Sequence, residues 1–139
     1  MSEEITPEQI SRKRQEREQN IIMIADDDMF TRTIISKSVK EYGEIVEIFD
    51  GSAVTDTYRT VMPNVLFLDI HLPKKNGFEA LDEILEFDHD AYVVMVSSDS
   101  GQENIAKAIK AGAAEFVSKP FVKKKLEQAC LKCPSLKGV

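Results

Sequence analysis

Residues 21–30 read IIMIADDDMF, an apolar run that passes directly into three adjacent aspartates. The run at 21–25 has the length and character of a strand that is buried on both faces of a sheet. Asp26, Asp27 and Asp28 then place three carboxylates at the end of that strand. Because neighbouring carboxylates repel each other, the stretch needs either free access to water or a positive charge close by.

The same alternation of apolar runs with helical stretches continues along the chain and predicts its fold class. The expected strands are 21–25, 45–49, 64–68, 92–96 and 114–117, and the expected helices are 28–42, 52–62, 77–87, 101–111 and 121–133. Strands that alternate with helices form right-handed βαβ units, so we expect an α/β fold with a parallel sheet covered on both faces. Ligands of such sheets bind at the carboxyl ends of the strands.

Residues 1–20 precede the pattern as an N-terminal charged arm. Thr6 as N-cap, Pro7 at the first helical position and Gln9 in a capping box predict the start of a helix. No apolar stripe follows, so we expect a weakly docked helix or a flexible arm. The basic cluster at 12–17 is then expected to be a solvated face.

Length, net charge and the lengths of the apolar runs indicate which class of protein this is. The chain has 139 residues, a formal net charge of −6 and no apolar run long enough to span a membrane. We therefore expect a cytoplasmic protein with one domain at 21–133, a tail at 134–139, and neither a nucleic acid nor a membrane as partner. Cys130 and Cys133 lack further metal ligands nearby, so we expect reduced thiols without a chemical role.

Polar side chains end or follow three of the other four predicted strands. Asp69 ends the third, Ser97 ends the fourth and Lys119 follows the fifth. Parallel strands bring these groups to the rim that carries the aspartates. N-capping of the first helix accounts for Asp28, but one helix needs only one cap, so capping leaves the remaining carboxylates unexplained.

The repulsion among the carboxylates at this edge of the sheet indicates what the edge binds. Two carboxylates about 5 Å apart repel by roughly 3 kcal/mol at an effective dielectric constant near 20, so a cluster of three must take up protons or a cation. A site of oxygen ligands suits Mg²⁺. Lys119 adds a charge that suits a phosphoryl oxygen, and Asp69 is a candidate nucleophile because carboxylates form acyl phosphates.

Four motifs at the strand ends together resemble a known family. They are IADDD at 24–28, FLDIHLPKKNG at 67–77, VSS at 96–98 and KPF at 119–121. In this order they are similar to the receiver domain of two-component response regulators, over about residues 21–132. The resemblance implies a flavodoxin-like (βα)5 fold, doubly wound, with strand order 2-1-3-4-5.

The resemblance also implies roles for the acidic residues. Asp69 matches the phosphoacceptor. Asp26 and Asp27 match the acidic pair that, with Asp69 and the backbone carbonyl of His71, holds Mg²⁺ or Mn²⁺.

The remaining matches concern the response to phosphate. Ser97 matches the hydroxyl residue that contacts the phosphoryl group and triggers the switch, and Lys119 matches the phosphate-contacting lysine. The bond from Lys119 to Pro120 is expected to be cis. Phe116 takes the place of the switch aromatic, which is commonly tyrosine.

The function implied is that of a single-domain response regulator similar to chemotaxis regulators. It would accept phosphate on Asp69 from a sensor histidine kinase or a histidine phosphotransfer protein, and it would otherwise not be an enzyme. Signalling would pass to a partner protein, or onward in a phosphorelay, through the face formed by the helix at 101–111, the strand at 114–117 and the helix at 121–133. We expect a monomer or a weak dimer, and no output domain after the short tail.

Two alternatives stay open at this point. One is a receiver that binds its partner without being phosphorylated. The other is a phosphatase similar to haloacid dehalogenases, with Asp26 and Asp28 as its catalytic pair. That family needs acidic ligands after the lysine, where only Glu127 is present, and it leaves Asp69 unexplained.

Overall fold

The helices and strands of the chain follow in alternation after one additional N-terminal helix. A computed structural model describes residues 5–138. In chain order the elements are α1 (Pro7–Glu16), β1 (Ile21–Ala25), α2 (Met29–Val39), β2 (Glu44–Ile48), α3 (Val54–Val61), β3 (Val65–Asp69), α4 (Gly77–Phe87), β4 (Val93–Ser97), α5 (Gln102–Lys110), β5 (Glu115–Ser118) and α6 (Lys123–Leu131). Residues 1–4 of the expected arm and residue 139 of the expected tail lie outside the described residues.

The five strands form one parallel sheet in the order β2-β1-β3-β4-β5. This confirms the predicted doubly wound topology. Every residue of β3 and β4 is buried, as expected for strands that helices cover on both faces. The register pairs Asp69 with Val96 and Ser97 with Ser118, so the carboxyl ends of these strands lie at one edge of the sheet.

Alternate residues of each strand point to two separate cores. In β1, Met23 and Ala25 pack on the side of α3, α4 and α5, while Ile22 and Ile24 pack on the side of α2 and α6. Helices on both faces explain why the strands read as continuous apolar runs. Among residues 5–138, no helix is long and apolar enough to cross a membrane.

Helix α1 begins as predicted but is not the solvated arm that we expected. Thr6 and Gln9 form the capping box. Arg14, however, is only 5% exposed, and its guanidinium forms an ion pair with Asp88, which is itself 1% exposed. The expectation of a solvated basic face is therefore wrong at Arg14, because the partner lies 74 residues away, where local patterning gives no sign of it.

The segment around α1 and the C-terminal tail close the edge of the sheet opposite the aspartates. Asn20 exchanges hydrogen bonds with the backbone of Lys137, from its side-chain nitrogen (2.8 Å) and to its side-chain oxygen (3.0 Å). Cys130 and Cys133 are buried and free, in agreement with the expected reduced thiols. Burial raises the pKa of Cys130 to about 12, which leaves this thiol protonated and unreactive.

Candidate functional site

Three carboxylates meet at the carboxyl edge of the sheet. Asp26 follows β1 and is fully buried, Asp69 is the last residue of β3 and is 4% exposed, and Asp27 is exposed. One oxygen from each lies within 4.8 Å of the others. The residues that the sequence singled out as metal ligands therefore lie together.

Strand pairing and one helix cap explain this arrangement. Ala25 lies beside Leu68. The residues that follow them, Asp26 and Asp69, therefore come to the edge of the sheet side by side. Asp28 turns the chain into α2, because its carboxylate accepts hydrogen bonds from the N–H groups of Phe30 (3.3 Å) and Thr31 (3.2 Å). This confirms Asp28 as the N-cap of α2. The phosphatase alternative required this same carboxylate in its catalytic pair, but here it is hydrogen-bonded to the start of the helix.

Lys119 supplies positive charge to the cluster. Its Nζ lies 2.8 Å from Oδ2 of Asp26 and 3.5 Å from Oδ2 of Asp69. Burial alone would lower the pKa of Lys119, but the hydrogen bond to Asp26 and the charge of Asp69 outweigh burial and raise it. The lysine therefore remains charged. Its peptide bond to Pro120 is cis, as expected.

One lysine does not balance the three carboxylates. Burial raises the pKa of Asp69, the charge of Asp26 raises it further, and Lys119 offsets the two effects only in part. The remaining negative charge, and a donor set made only of oxygens, fit a hard divalent cation such as Mg²⁺ better than a softer metal.

Removal of the Asp69 charge should stabilise the protein when no metal is present. In EDTA at neutral pH, we expect Asp69→Asn to raise the midpoint of thermal unfolding, because the native state no longer holds a buried, repelled carboxylate. The raised pKa fixes the pH dependence: the gain should vanish as the pH falls below the ordinary pKa of aspartate, where the carboxyl is protonated in both states. A wild type more stable than the variant at neutral pH would contradict this.

His71, from the loop after β3, and Asp99, from the loop after β4, form another contact near the cluster. Nε2 of His71 lies 3.5 Å from Oδ2 of Asp99, and both side chains are more than half exposed. The N–H of His71 reaches Oδ1 of Asp69 at 3.4 Å, and the N–H of Asp99 donates to Oγ of Ser97 at 3.0 Å. Sequence reasoning missed Asp99, because an aspartate in a polar loop carries no signal of its own.

Ser97 and Phe116 lie on the neighbouring strands β4 and β5. Ser97 is fully buried at the end of β4, and its carbonyl accepts a hydrogen bond from the N–H of Lys119 (2.9 Å). Phe116 is half-buried on β5 beside Met95 and packs against the core on the side of α3, α4 and α5. The residue that would contact phosphate and the aromatic that would respond are thus one strand apart.

Gly77 holds the loop after β3 in place. Its N–H donates to the carbonyl of Ile70 at 2.7 Å, and a Cβ at this position would overlap the backbone oxygen of Asp69. Only glycine lets the chain pass this close behind Asp69. The structure thus explains a residue that the sequence showed only as part of a motif.

Comparison with known proteins agrees with this geometry. The family model described as the response regulator receiver domain matches residues 22–131. Protein CcdB of Bacillus subtilis is 36% identical over 110 residues, which cover 78% of this chain and 92% of that protein. Chemotaxis protein CheY of Listeria monocytogenes is 38% identical over 102 residues, which cover 72% of this chain and 86% of that protein.

Solved structures give the same result. The structure described as a CheX-CheY-BeF3-Mg+2 complex from Borrelia burgdorferi matches with a TM-score of 0.77 at 27% identity. The match covers 81% of this chain and 87% of that chain. The receiver domain of NtrX from Brucella abortus matches with a TM-score of 0.75 at 29% identity, covering 81% of this chain and 96% of that chain.

Proposed function

The chain belongs to the family of response regulator receiver domains, and we propose that Asp69 accepts a phosphoryl group in a reaction that depends on a divalent metal. The observation that carries this proposal is the cluster itself. Oxygens of Asp26, Asp27 and Asp69 lie within 4.8 Å of one another, and Lys119 contacts two of these residues. Such a site is suited to bind a metal and a phosphoryl group side by side.

The acidic residues then share one task, and Lys119 has another. Asp26, Asp27, Asp69 and the backbone carbonyl of His71 would hold Mg²⁺ or Mn²⁺. When bound, the ion would neutralise the carboxylates and the incoming phosphoryl oxygens. Lys119 would contact a phosphoryl oxygen.

The covalent step takes place at Asp69. A carboxylate oxygen of Asp69 attacks the phosphorus of a phosphohistidine on the donor, an O–P bond forms, and the P–N bond breaks with its electron pair left on the imidazole. Acetyl phosphate would react in the same way, with acetate leaving. Attack by water later releases inorganic phosphate and restores the carboxylate, so catalysis is confined to the protein's own phosphorylation and dephosphorylation.

Phosphorylation would be read out through Ser97 and Phe116. The hydroxyl of Ser97 would turn toward the phosphoryl group and give up the bond it accepts from Asp99, and Phe116 would move inward. That movement repacks the face formed by α5, β5 and α6. A roughly 100-fold preference of phosphate for the active arrangement, which is nearly 3 kcal/mol, is enough to shift the population.

The partners follow from this cycle. The phosphoryl donor would be a sensor histidine kinase or a histidine phosphotransfer protein. The receiver of the signal would be a protein that binds the face of α5, β5 and α6, as in chemotaxis, or the next member of a phosphorelay. We propose that the protein acts in the cytoplasm as a monomer or a weak dimer.

Phosphorylation can be tested without the natural donor. On incubation with acetyl phosphate and Mg²⁺, we expect the intact mass to rise by one phosphoryl group, and EDTA should prevent the rise. Asp27→Asn should lose most of the reaction because it removes a proposed metal ligand, whereas Asp28→Asn should keep it because that carboxylate caps α2. Folded wild type that gains no mass would instead support a receiver that binds without phosphorylation.

A further inference from the structure

Gly51 lies directly against the loop that follows β3. It is buried and begins a short 3-10 helix, Gly51–Ala53, between β2 and α3. Its N–H donates to the carbonyl of Pro73 at 3.1 Å. A Cβ at Gly51 would lie only 1.8 Å from the backbone oxygen of Lys75, so any larger residue would push the two segments apart. We call residues 50–53 the Gly51 turn and residues 70–76, which connect β3 to α4, the His71 loop.

An ion pair joins the same two segments. Nζ of Lys74 lies 3.0 Å from Oδ2 of Asp50, and Oδ1 of Asp50 accepts hydrogen bonds from the N–H and the hydroxyl of Ser52, both at 2.8 Å. Lys74 has a φ of 72°, in the left-handed region that residues with a side chain rarely adopt. Such a conformation persists only where its surroundings hold it, and here the Gly51 turn supplies part of that support.

The helices on either side add a further link. Nζ of Lys75 lies 2.8 Å from each carboxylate oxygen of Glu83 in α4. The same carboxylate accepts a hydrogen bond from the hydroxyl of Thr55 in α3 at 2.6 Å. The His71 loop is therefore tied through both its backbone and its side chains to the segment that begins at the Gly51 turn.

The position of this loop matters because it carries His71. The backbone carbonyl of His71 is a proposed metal ligand, but His71 lies beyond the last residue of β3, so strand pairing does not fix it. Gly77 holds the end of the loop next to α4, through its hydrogen bond to Ile70. The Gly51 turn contacts the middle of the loop, at Pro73 and the two lysines that follow.

We propose that Gly51 is a positioning residue for the metal, because it lets the His71 loop pack where the carbonyl of His71 can serve as a ligand. This inference rests on the proposed function, which supplies that ligand. Gly51 acts through the backbone of Pro73 and Lys75 and not by contact with the ion. Loss of a group that supports a metal ligand from behind typically lowers metal affinity about 10–100-fold.

Titration of the full-length protein with Mg²⁺ alone, followed by amide NMR shifts of residues 26–28 and 69–71, measures this affinity without any phosphoryl donor. We expect Gly51→Ala to bind Mg²⁺ about tenfold more weakly than the wild type, or weaker still. Gly43→Ala is the matched control, because its Cβ would also approach a backbone oxygen, that of Asn20 at 2.8 Å, but at the opposite edge of the sheet. It should lower stability and keep the wild-type affinity for Mg²⁺.

Hydrogen exchange tests the same link in the wild type, where no substitution can disturb folding. If the Gly51 turn favours metal binding, bound metal must favour the packed turn to the same extent. Mg²⁺ should therefore slow exchange of the Gly51 N–H, which is bonded to Pro73, more than exchange of the Glu44 N–H. The Glu44 N–H donates to the carbonyl of Asn20 at 2.8 Å, far from the carboxylates, and reports any general stabilisation.

The outcomes separate this inference from the proposed function. Wild-type affinity for Mg²⁺ in folded Gly51→Ala, or equal slowing of exchange at Gly51 and Glu44, would overturn the inference and leave the proposed phosphorylation standing. Equal losses of affinity in Gly51→Ala and Gly43→Ala would overturn it as well, because general destabilisation would explain both. A wild type that binds no Mg²⁺ would overturn the proposed function and this inference together.

Discussion

Arg14→Ala is expected to lower the free energy of unfolding by about 3–5 kcal/mol, as is typical when one partner of a buried ion pair is removed. Asp88 would lose its cation while remaining buried, with the hydroxyl of Tyr58 (2.8 Å) as its remaining side-chain donor. Burial raises the pKa of Tyr58, and the charge of Asp88 raises it further, so this hydroxyl stays protonated and cannot replace the lost charge. Urea unfolding followed by circular dichroism measures the loss.

The neighbouring Arg12 gives a matched control. It lies on the same helix but is exposed, so Arg12→Ala should change stability by no more than about 0.5 kcal/mol. In the double variant Arg14→Ala with Asp88→Ala, the loss should be smaller than the sum of the two single losses, because no unpaired charge remains. A loss below 1 kcal/mol for Arg14→Ala, or additive losses, would show that α1 is not anchored by this pair.

Gly77→Ala is expected to impair phosphorylation strongly without touching a reacting group. The added Cβ overlaps the backbone oxygen of Asp69, so either α4 or the end of β3 must move. Such overpacking costs about 1–3 kcal/mol or more, and a displacement of about 1 Å at the nucleophile can slow a reaction about 100-fold. The rate of mass gain with acetyl phosphate measures the effect.

Gly101→Ala is the corresponding control, because a Cβ at Gly101 meets no atom within 4 Å. It should phosphorylate at the wild-type rate and retain wild-type stability. If Gly77→Ala reacted as fast as Gly101→Ala, the close approach behind Asp69 would not matter for the position of the nucleophile.

The sheet could be predicted because burial on both faces leaves a clear trace in sequence. The run 21–25 coincides with β1, and the other strands were placed within one residue. For β3, β4 and β5 the offset arises because the polar residues Asp69, Ser97 and Ser118 still belong to the strands they end, whereas β2 lies one residue earlier than predicted, at Glu44–Ile48. Helix ends were less accurate: α6 begins at Lys123 rather than at Phe121, because Val122 is extended at the N-cap.

The placement of Asp26, Asp27, Asp69, Ser97 and Lys119 at one edge of the sheet could be predicted from the same logic, since each lies at or just after the carboxyl end of an apolar run. Contacts between segments that are far apart in the sequence could not be predicted. The pairing of Arg14 with Asp88, and of His71 with Asp99, depends on which distant segments of the chain the fold brings together, and neither pair has a local pattern. The exposure of Phe49 (65%) was equally hidden, because the pattern placed this residue inside the predicted strand 45–49.

The proposed function depends on Asp69 itself carrying the phosphoryl group. The most direct test is the intact mass of wild type and of Asp69→Asn after acetyl phosphate and Mg²⁺, each checked for folding by circular dichroism. We expect a gain of one phosphoryl group for the wild type and no gain for Asp69→Asn. An equal gain in the folded variant would place the phosphoryl group on another residue and would rule out Asp69 as its carrier.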